Sequence, residues 1–165
     1  MKRYIEILNN VFEADGIENN KKLLNDALDS DYRDVIEIND RIVGFLFANI
    51  NKKNSDKIND YLSYNYNFVK KYLNDDDAYI NLLVVDTLHQ SKGYGSYLIK
   101  RFIEYCEKEK IKNIYLWCDL SCNTVFYEKL NFELIECYNN PFFNEYCNVK
   151  CDKKENSYIY KLTIS

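Results

Sequence analysis

The stretch HQSKGYG, residues 89–95, constrains this chain more than any other. It holds two of the four glycines and stands between an apolar run, INLLVVD, and an amphipathic one, SYLIKRFIEYCEK. Glycine costs about 0.5–1 kcal/mol inside a helix or strand, so a pair at a strand-to-helix junction marks a backbone that must approach something closely. A strand that enters such a turn and leaves as a helix aims several free N–H groups, and the positive end of the helix dipole, at one spot. An anion, phosphate first among them, can bind there without a charged side chain.

Periodicity supplies the surrounding elements. Tyr4, Ile7, Leu8, Val11 and Phe12 fall at helical spacing and predict a helix over residues 3–14, with KKLLNDALDS as a second. A short edge strand at YIEI is the competing reading. DVIEINDRIVGFLFANI predicts two antiparallel strands about Asn39-Asp40, a pair that tolerates positive φ in a tight hairpin. Ile58, Tyr61, Leu62, Val69 and Tyr72 share one stripe and predict a helix over 56–73, halted by Asp75-Asp76-Asp77.

AYINLLVVD then reads as a buried strand, and Gly93 to about Lys108 as a helix with Tyr94, Leu98, Phe102 and Cys106 four residues apart. NIYLWCD is the next strand. CNTVFYEKLNF is a short helix in which Asn131 takes the left-handed capping position usually given to glycine. FELIECY and SYIYKLTI close the chain as strands around a long connection, residues 139–156. This order predicts an α/β or α+β domain with a mixed sheet. No repeat or linker divides it, so residues 1–165 read as one domain with a substantial core.

Charge excludes some partners. Twenty-two basic against 26 acidic residues leave a net charge of −4, which argues against nucleic acid held by a basic face. No stretch approaches the roughly 18 apolar residues of a membrane span, and MKRYIEILNN lacks an export signal, so a cytoplasmic protein without membrane contact is expected. Six cysteines are then expected as reduced thiols. Cys118/Cys122 and Cys147/Cys151 are spaced more widely than the usual zinc pairs, so no metal is expected.

Two familiar phosphate motifs fail letter by letter. A dinucleotide-type GxGxxG needs a third glycine where Leu98 stands, and a P-loop needs Gly-Lys-Ser/Thr, whereas Lys92 precedes Gly93. What remains is Gln90-Ser91-Lys92-Gly93-Tyr94-Gly95, a Q-x-x-G-x-G pattern, followed at some distance by CNTVFYEKLNF. Together with the strand order, these resemble the Gcn5-related N-acetyltransferase (GNAT) superfamily over roughly residues 34–164. Asn131 stands where the family has a glycine.

The resemblance implies a GNAT-like fold: a mixed, mostly antiparallel central sheet flanked by helices, with an acyl-CoA site at the strand, glycine turn and helix. It implies acetyl-CoA as acyl donor, its pyrophosphate on the amides of Ser91, Lys92, Gly93, Tyr94, Gly95 and Ser96, with Gln90 at the first motif position. Leu83, Val84 and Val85 match the strand beside the pantetheine arm, where a backbone N–H polarises the thioester carbonyl. Such a donor is worth about 2.7–4 kcal/mol in a dry site. Tyr127 matches the tyrosine that protonates the departing thiolate, and Asn123 matches an asparagine near the cofactor. A packed aromatic is the plain alternative for Tyr127 in a chain with sixteen tyrosines.

The base departs from the family pattern. Histone-acetylating relatives carry a glutamate where this chain has Tyr79, which cannot do that work at neutral pH. Asp77 shares a strand face with Tyr79 and Asn81, while Asp86 and Asp119 end strands; each also reads as a solvated turn residue. Asp119 is the named candidate, with a water chain as the alternative, and His89 sits at the outer bend. Trp117 reads as core or pocket wall.

The family acceptor pocket draws on the first helices and on segments matching residues 51–79 and 139–156, which here carry NDDDAY and NNPFFNEYC. Acidic and aromatic residues suit a cationic amine. The expected activity is N-acetyl transfer to a primary amine of a small molecule or peptide, by a monomer or homodimer. The alternative is a non-catalytic acyl-CoA-binding module.

Overall fold

The computed structural model describes residues 1–13, 16–51, 64–119, 123–139 and 155–164. The chain opens with helix α1, Lys2–Val11, so YIEI is helical rather than an edge strand. Its buried stripe is Ile7 and Leu8, and the Tyr4 ring meets Phe45 edge-on at 5.1 Å. Helix α2, Ile17–Leu28, begins earlier than KKLLNDALDS suggested and stops before Asp29 and Ser30. Buried Asn20 fastens the two helices, its Nδ2 donating to Asn9 Oδ1 (3.0 Å) and to the Phe12 carbonyl (3.1 Å).

Strands β1 (Tyr32–Ile38) and β2 (Arg41–Ile50) form the expected hairpin, with Asn39 and Asp40 at φ 50° and 60°. Of the helix expected over 56–73, Tyr64–Val69 is helical (α3); residues 52–63, which hold Ile58, Tyr61 and Leu62, lie outside the described part. Then follow β3 (Asp77–Val85), a 3₁₀ turn (Thr87–His89), α4 (Tyr94–Lys108), β4 (Asn113–Asp119), α5 (Thr124–Lys129), β5 (Glu133–Tyr138) and β6 (Ser157–Thr163). Asn131 has φ 66°, the left-handed cap read from the sequence.

The six strands form one mixed sheet in the order β1-β2-β3-β4-β6-β5, antiparallel everywhere except between β3 and β4. Period-two alternation divides the side chains between two faces. One face packs Leu46, Ile80, Ile114 and Leu116 under α4, where Leu98, Ile99, Phe102 and Cys106 are fully buried. The other carries two clusters: Phe45, Phe47, Leu82 and Val84 under α1 and α2, and Tyr79, Tyr115 and Ile159 beside Val69 of α3.

Three aspartates read as solvated turn residues are instead buried: Asp77, Asp86 and Asp119 are 1%, 3% and 8% exposed. Asp77 Oδ2 accepts from Asn74 N (2.8 Å) and Oδ1 from Asn113 Nδ2 (2.7 Å), tying the turn before β3 to the start of β4. A charge at a strand end can be buried when backbone and amide donors replace its water.

Cys106 and Cys118 are buried free thiols, and burial pushes the Cys106 thiol up to about 12. Cys137 is exposed; Cys122, Cys147 and Cys151 lie outside the described residues. Among the described residues no group of three metal-ligating side chains gathers, and no helix is long and apolar enough to cross a membrane.

Phe102 is fully buried against Tyr32 (4.8 Å between centroids) and Tyr105 (6.3 Å). Phe102→Ala is expected to destabilise the fold by about 3–5 kcal/mol through lost transfer energy and a residual cavity, read as a lower denaturation midpoint with unchanged slope.

Candidate functional site

The parallel pair is short. β3 and β4 are in register only at Asp77↔Asn113, Ala78↔Ile114 and Tyr79↔Tyr115. β3 continues to Val85 and β4 to Asp119, each held by its other neighbour, so their facing edges part and leave a wedge-shaped gap. A β-bulge stands where they part: Phe47 pairs with Leu82 and Ala48 with Ile80, leaving Asn81 as the extra residue. Bulges bend a strand and sharpen its twist, which suits a strand turning away from its neighbour. Asn81 Nδ2 donates to Ser30 Oγ at 2.9 Å, so the bulge is anchored to the end of α2. Period counting could not reveal it.

The glycine turn caps the β3 arm. Asp86 N donates to the Val43 carbonyl (2.8 Å), His89 N to the Asp86 carbonyl (2.7 Å), and Gln90 Nε2 to the Val85 carbonyl (3.1 Å). Ser91 and Gly93 adopt positive φ, 60° and 85°. Gly93 is the N-cap of α4, its carbonyl accepting from Tyr97 N at 3.0 Å. That leaves the amides of Tyr94, Gly95 and Ser96 as first-turn donors. The helix has no capping side chain and no acidic residue in its first turn, so nothing of its own offsets the dipole's positive end.

The two glycines serve different ends. A Cβ on Gly93 would meet nothing within 4 Å, so that residue supplies the left-handed turn and open space above it. A Cβ on Gly95 would lie 3.1 Å from Phe126 Cζ and 3.4 Å from Cε2, so Gly95 lets α5 close onto the start of α4. At Gly95 the missing side chain makes room for Phe126, while its amide stays among the first-turn donors.

Through this contact the structure joins the two sequence motifs. Asn123 is the N-cap of α5, its Oδ1 accepting from Phe126 N at 3.2 Å. Tyr127 is half-buried, with ring centroids of Phe126, Phe132 and Tyr160 at 5.0, 5.8 and 6.1 Å. Tyr160 OH donates to Glu128 Oε1 at 3.0 Å, and burial first, then that bond, pushes its phenol up to about 12. Leu83 and Val85 lie half-buried on the α4 side, and Val84 is buried against α1 and α2. Ser91, Lys92 and Gly93 are exposed, with Lys92 Nζ 3.4 Å from the Leu88 carbonyl.

The base candidates disperse. Asp77 and Tyr79 lie at the closed end of the gap, Asp77 roughly 26 Å from Val85 at about 3.3 Å per residue. Tyr79 is buried, its OH accepting from Asn49 Nδ2 at 3.2 Å. Asp119 ends β4 at the open side, paired in register with Ser157. Asp86, unread as such from sequence, is one half of an ion pair: Arg3 Nη2 donates to its Oδ2, and Arg3 Nε to the Ile42 carbonyl (3.0 Å). His89 Nδ1 lies 3.7 Å from the same oxygen, beyond hydrogen-bond reach.

Comparison with known proteins gives these features a context. The model of the acetyltransferase (GNAT) family matches residues 2–132, so the matched region includes the first helices and stops at Phe132. The fold is similar to the ribosomal-protein-S18-alanine N-acetyltransferase from Escherichia coli, 19% identical, covering 88% of this chain and 77% of that one, with a TM-score of 0.60. It is also similar to an aminoglycoside 6'-N-acetyltransferase complexed with coenzyme A (14%, 99% and 90%, 0.65). A third likeness is to smu.2055 from Streptococcus mutans (16%, 99% and 93%, 0.68). No curated protein sequence matches at a significant level.

A double-mutant cycle tests the glycine assignment. Gly95→Ala is expected to destabilise the wild type and to cost less in a Phe126→Leu background, with a coupling of at least about 0.5 kcal/mol by denaturant titration. Gly93→Ala should cost about 1–2 kcal/mol in either background, from the left-handed backbone alone. Arg3→Met strips a buried carboxylate of its partner and should cost about 3 kcal/mol, the low end for such pairs because Arg3 is 30% exposed.

Proposed function

The chain belongs to the GNAT acetyltransferase family, and on that premise we propose that it transfers an acetyl group from acetyl-CoA to a primary amine, by direct attack of the amine on the thioester. The observation that carries this reading is the gap between β3 and β4 with an uncapped helix N-terminus at its mouth. The turn fits a pyrophosphate: open space lies over Gly93, and the first-turn amides of α4 lack an acidic neighbour. We take residues 1–165 as one acetyltransferase domain working in the cytoplasm.

Acetyl-CoA, as the donor substrate, supplies the acetyl group as a thioester. The amides of Ser91 to Ser96 hold its pyrophosphate, with Gln90 bracing the turn through the Val85 carbonyl. The edge of β3 over Leu83, Val84 and Val85 offers backbone N–H groups to the thioester carbonyl, where negative charge grows as the amine attacks. Tyr127 supplies the proton for the departing sulfur, and Asn123 sets the helix that carries it. The amine's proton leaves through water at the open side of the gap or to Asp119.

A second reading, acyl-CoA binding without turnover, draws on Tyr79: the position where some relatives have a basic carboxylate holds a buried phenol bonded to Asn49. One pair of measurements separates the two. Acetyl-CoA at 100 times its dissociation constant should stabilise the fold by about 2.7 kcal/mol, read as a rise in melting temperature. Tyr127→Phe should keep that rise while lowering kcat about a hundredfold or more, the scale of general acid catalysis. A rise without thiol release from any amine would favour the binding module; no rise would sink both readings.

A further inference from the structure

Where the segment after α3 meets the last hairpin, an ammonium already sits in a three-sided seat. Lys71 Nζ lies 2.8 Å from Glu136 Oε1 and 2.6 Å from Oε2, and 5.1 Å from the centroid of the Tyr72 ring. Tyr72 OH donates to Glu136 Oε2. The bond to Glu136 raises the pKa of Lys71, and the bonds from Lys71 and Tyr72 lower that of Glu136. A carboxylate, a phenol and an aromatic face together are a cation receptor. Its occupant is a surface side chain, Lys71 being 57% exposed against 26% for Glu136.

Glu136 faces this way because of a second bulge. Leu134 pairs with Tyr160 and Glu136 with Ile159, leaving Ile135 as the extra residue. Strict alternation would put Glu136 on the side of Leu134 and Tyr160, under α5. The bulge moves it to the face of Ile159, Ile135 and Tyr138, where α3 packs. Bulges recur where a side chain must be re-aimed beside a functional site.

The sheet register links the seat to the gap. Glu136 lies opposite Ile159 and Ile159 opposite Trp117, so two strand spacings, about 10 Å, separate the Glu136 and Trp117 backbones. Trp117 stands on the β4 arm, two residues from its end, with the Phe68 ring 4.5 Å away. Tyr72 stacks on Tyr115 at 6.1 Å, so aromatic surface runs along this face.

From this geometry we propose that Glu136 and Tyr72 form a subsite for the second cation of an acceptor carrying two or more ammonium groups, a linear polyamine or a polycationic amino sugar, and that Lys71 fills the seat until the acceptor displaces it. The inference rests on the acetyltransferase reading, since it places the reacting nitrogen at the gap and a second one along the sheet. Exposed ion pairs by themselves stabilise proteins little, so a seat of this kind is free to exchange its occupant.

Calorimetric binding of spermidine and of butylamine, in the presence of CoA, tests the proposal separately from turnover. Wild type should bind spermidine more tightly than butylamine. Glu136→Gln, which keeps the shape, should weaken spermidine about tenfold or more, the scale of a hydrogen bond to a charged group, and leave butylamine unchanged. Lys71→Ala should tighten spermidine by removing the internal competitor. Equal spermidine affinity in Glu136→Gln and wild type would overturn the subsite, and a lowered melting temperature alongside it would make the cluster a structural tie. Glu136-dependent spermidine binding in a protein that releases no CoA thiol from any amine would overturn the acetyltransferase reading, and with it the acceptor role of the seat.

Discussion

Three residue pairs of parallel sheet, and then none, set the terms for everything else in this molecule. β3 and β4 share a start and each stays bound to its outer neighbour, β2 or β6, so neither can follow the other once the bulge at Asn81 turns β3 aside. The sheet is continuous at one end and divided at the other. Buried backbone polar groups ordinarily demand partners, and among the described residues β3 beyond Tyr79 pairs as a strand only with β2, an arrangement that a ligand can complete.

The parts around the gap are held in place before any ligand arrives. Arg3 and Asp86 pin α1 to the exit of β3, Gln90 braces the turn from the other side, and Gly95 lets Phe126 draw α5 against α4. The Gln90 tie is local, whereas Arg3–Asp86 and Gly95–Phe126 join elements distant in sequence. Catalysis by positioned dipoles draws on this rigidity, because groups already aimed need no reorganisation when charge develops.

Much of the fold was legible in the sequence because its signals are local. Asn39-Asp40 announced a hairpin, Asn131 a helix cap, and the four-residue rhythm from Tyr94 to Cys106 a helix, and all three stand as read. The Gln90–Gly95 pattern with the Phe126-Tyr127 helix pointed to the family, and both stretches lie inside residues 2–132, which the family model matches. What stayed hidden was non-local. The bulges at Asn81 and Ile135 depend on a partner strand, and Arg3–Asp86 joins residues 83 apart in sequence. Asp77 and Asp86 are buried with donors from Asn74, Asn113 and Arg3 that sequence order does not reveal.

The edge of β3 that faces away from β2 leaves a signature in time as well as in space. Along a strand, successive N–H groups point to alternate sides, so between Asn81 and Val85 every second amide is committed to β2 while its neighbours face the gap. A buried strand normally exchanges its amide hydrogens at uniformly low rates. This one should show a saw-tooth, slow and fast residues alternating within a single element, and the teeth facing the gap would report, residue by residue, what lies between the two arms.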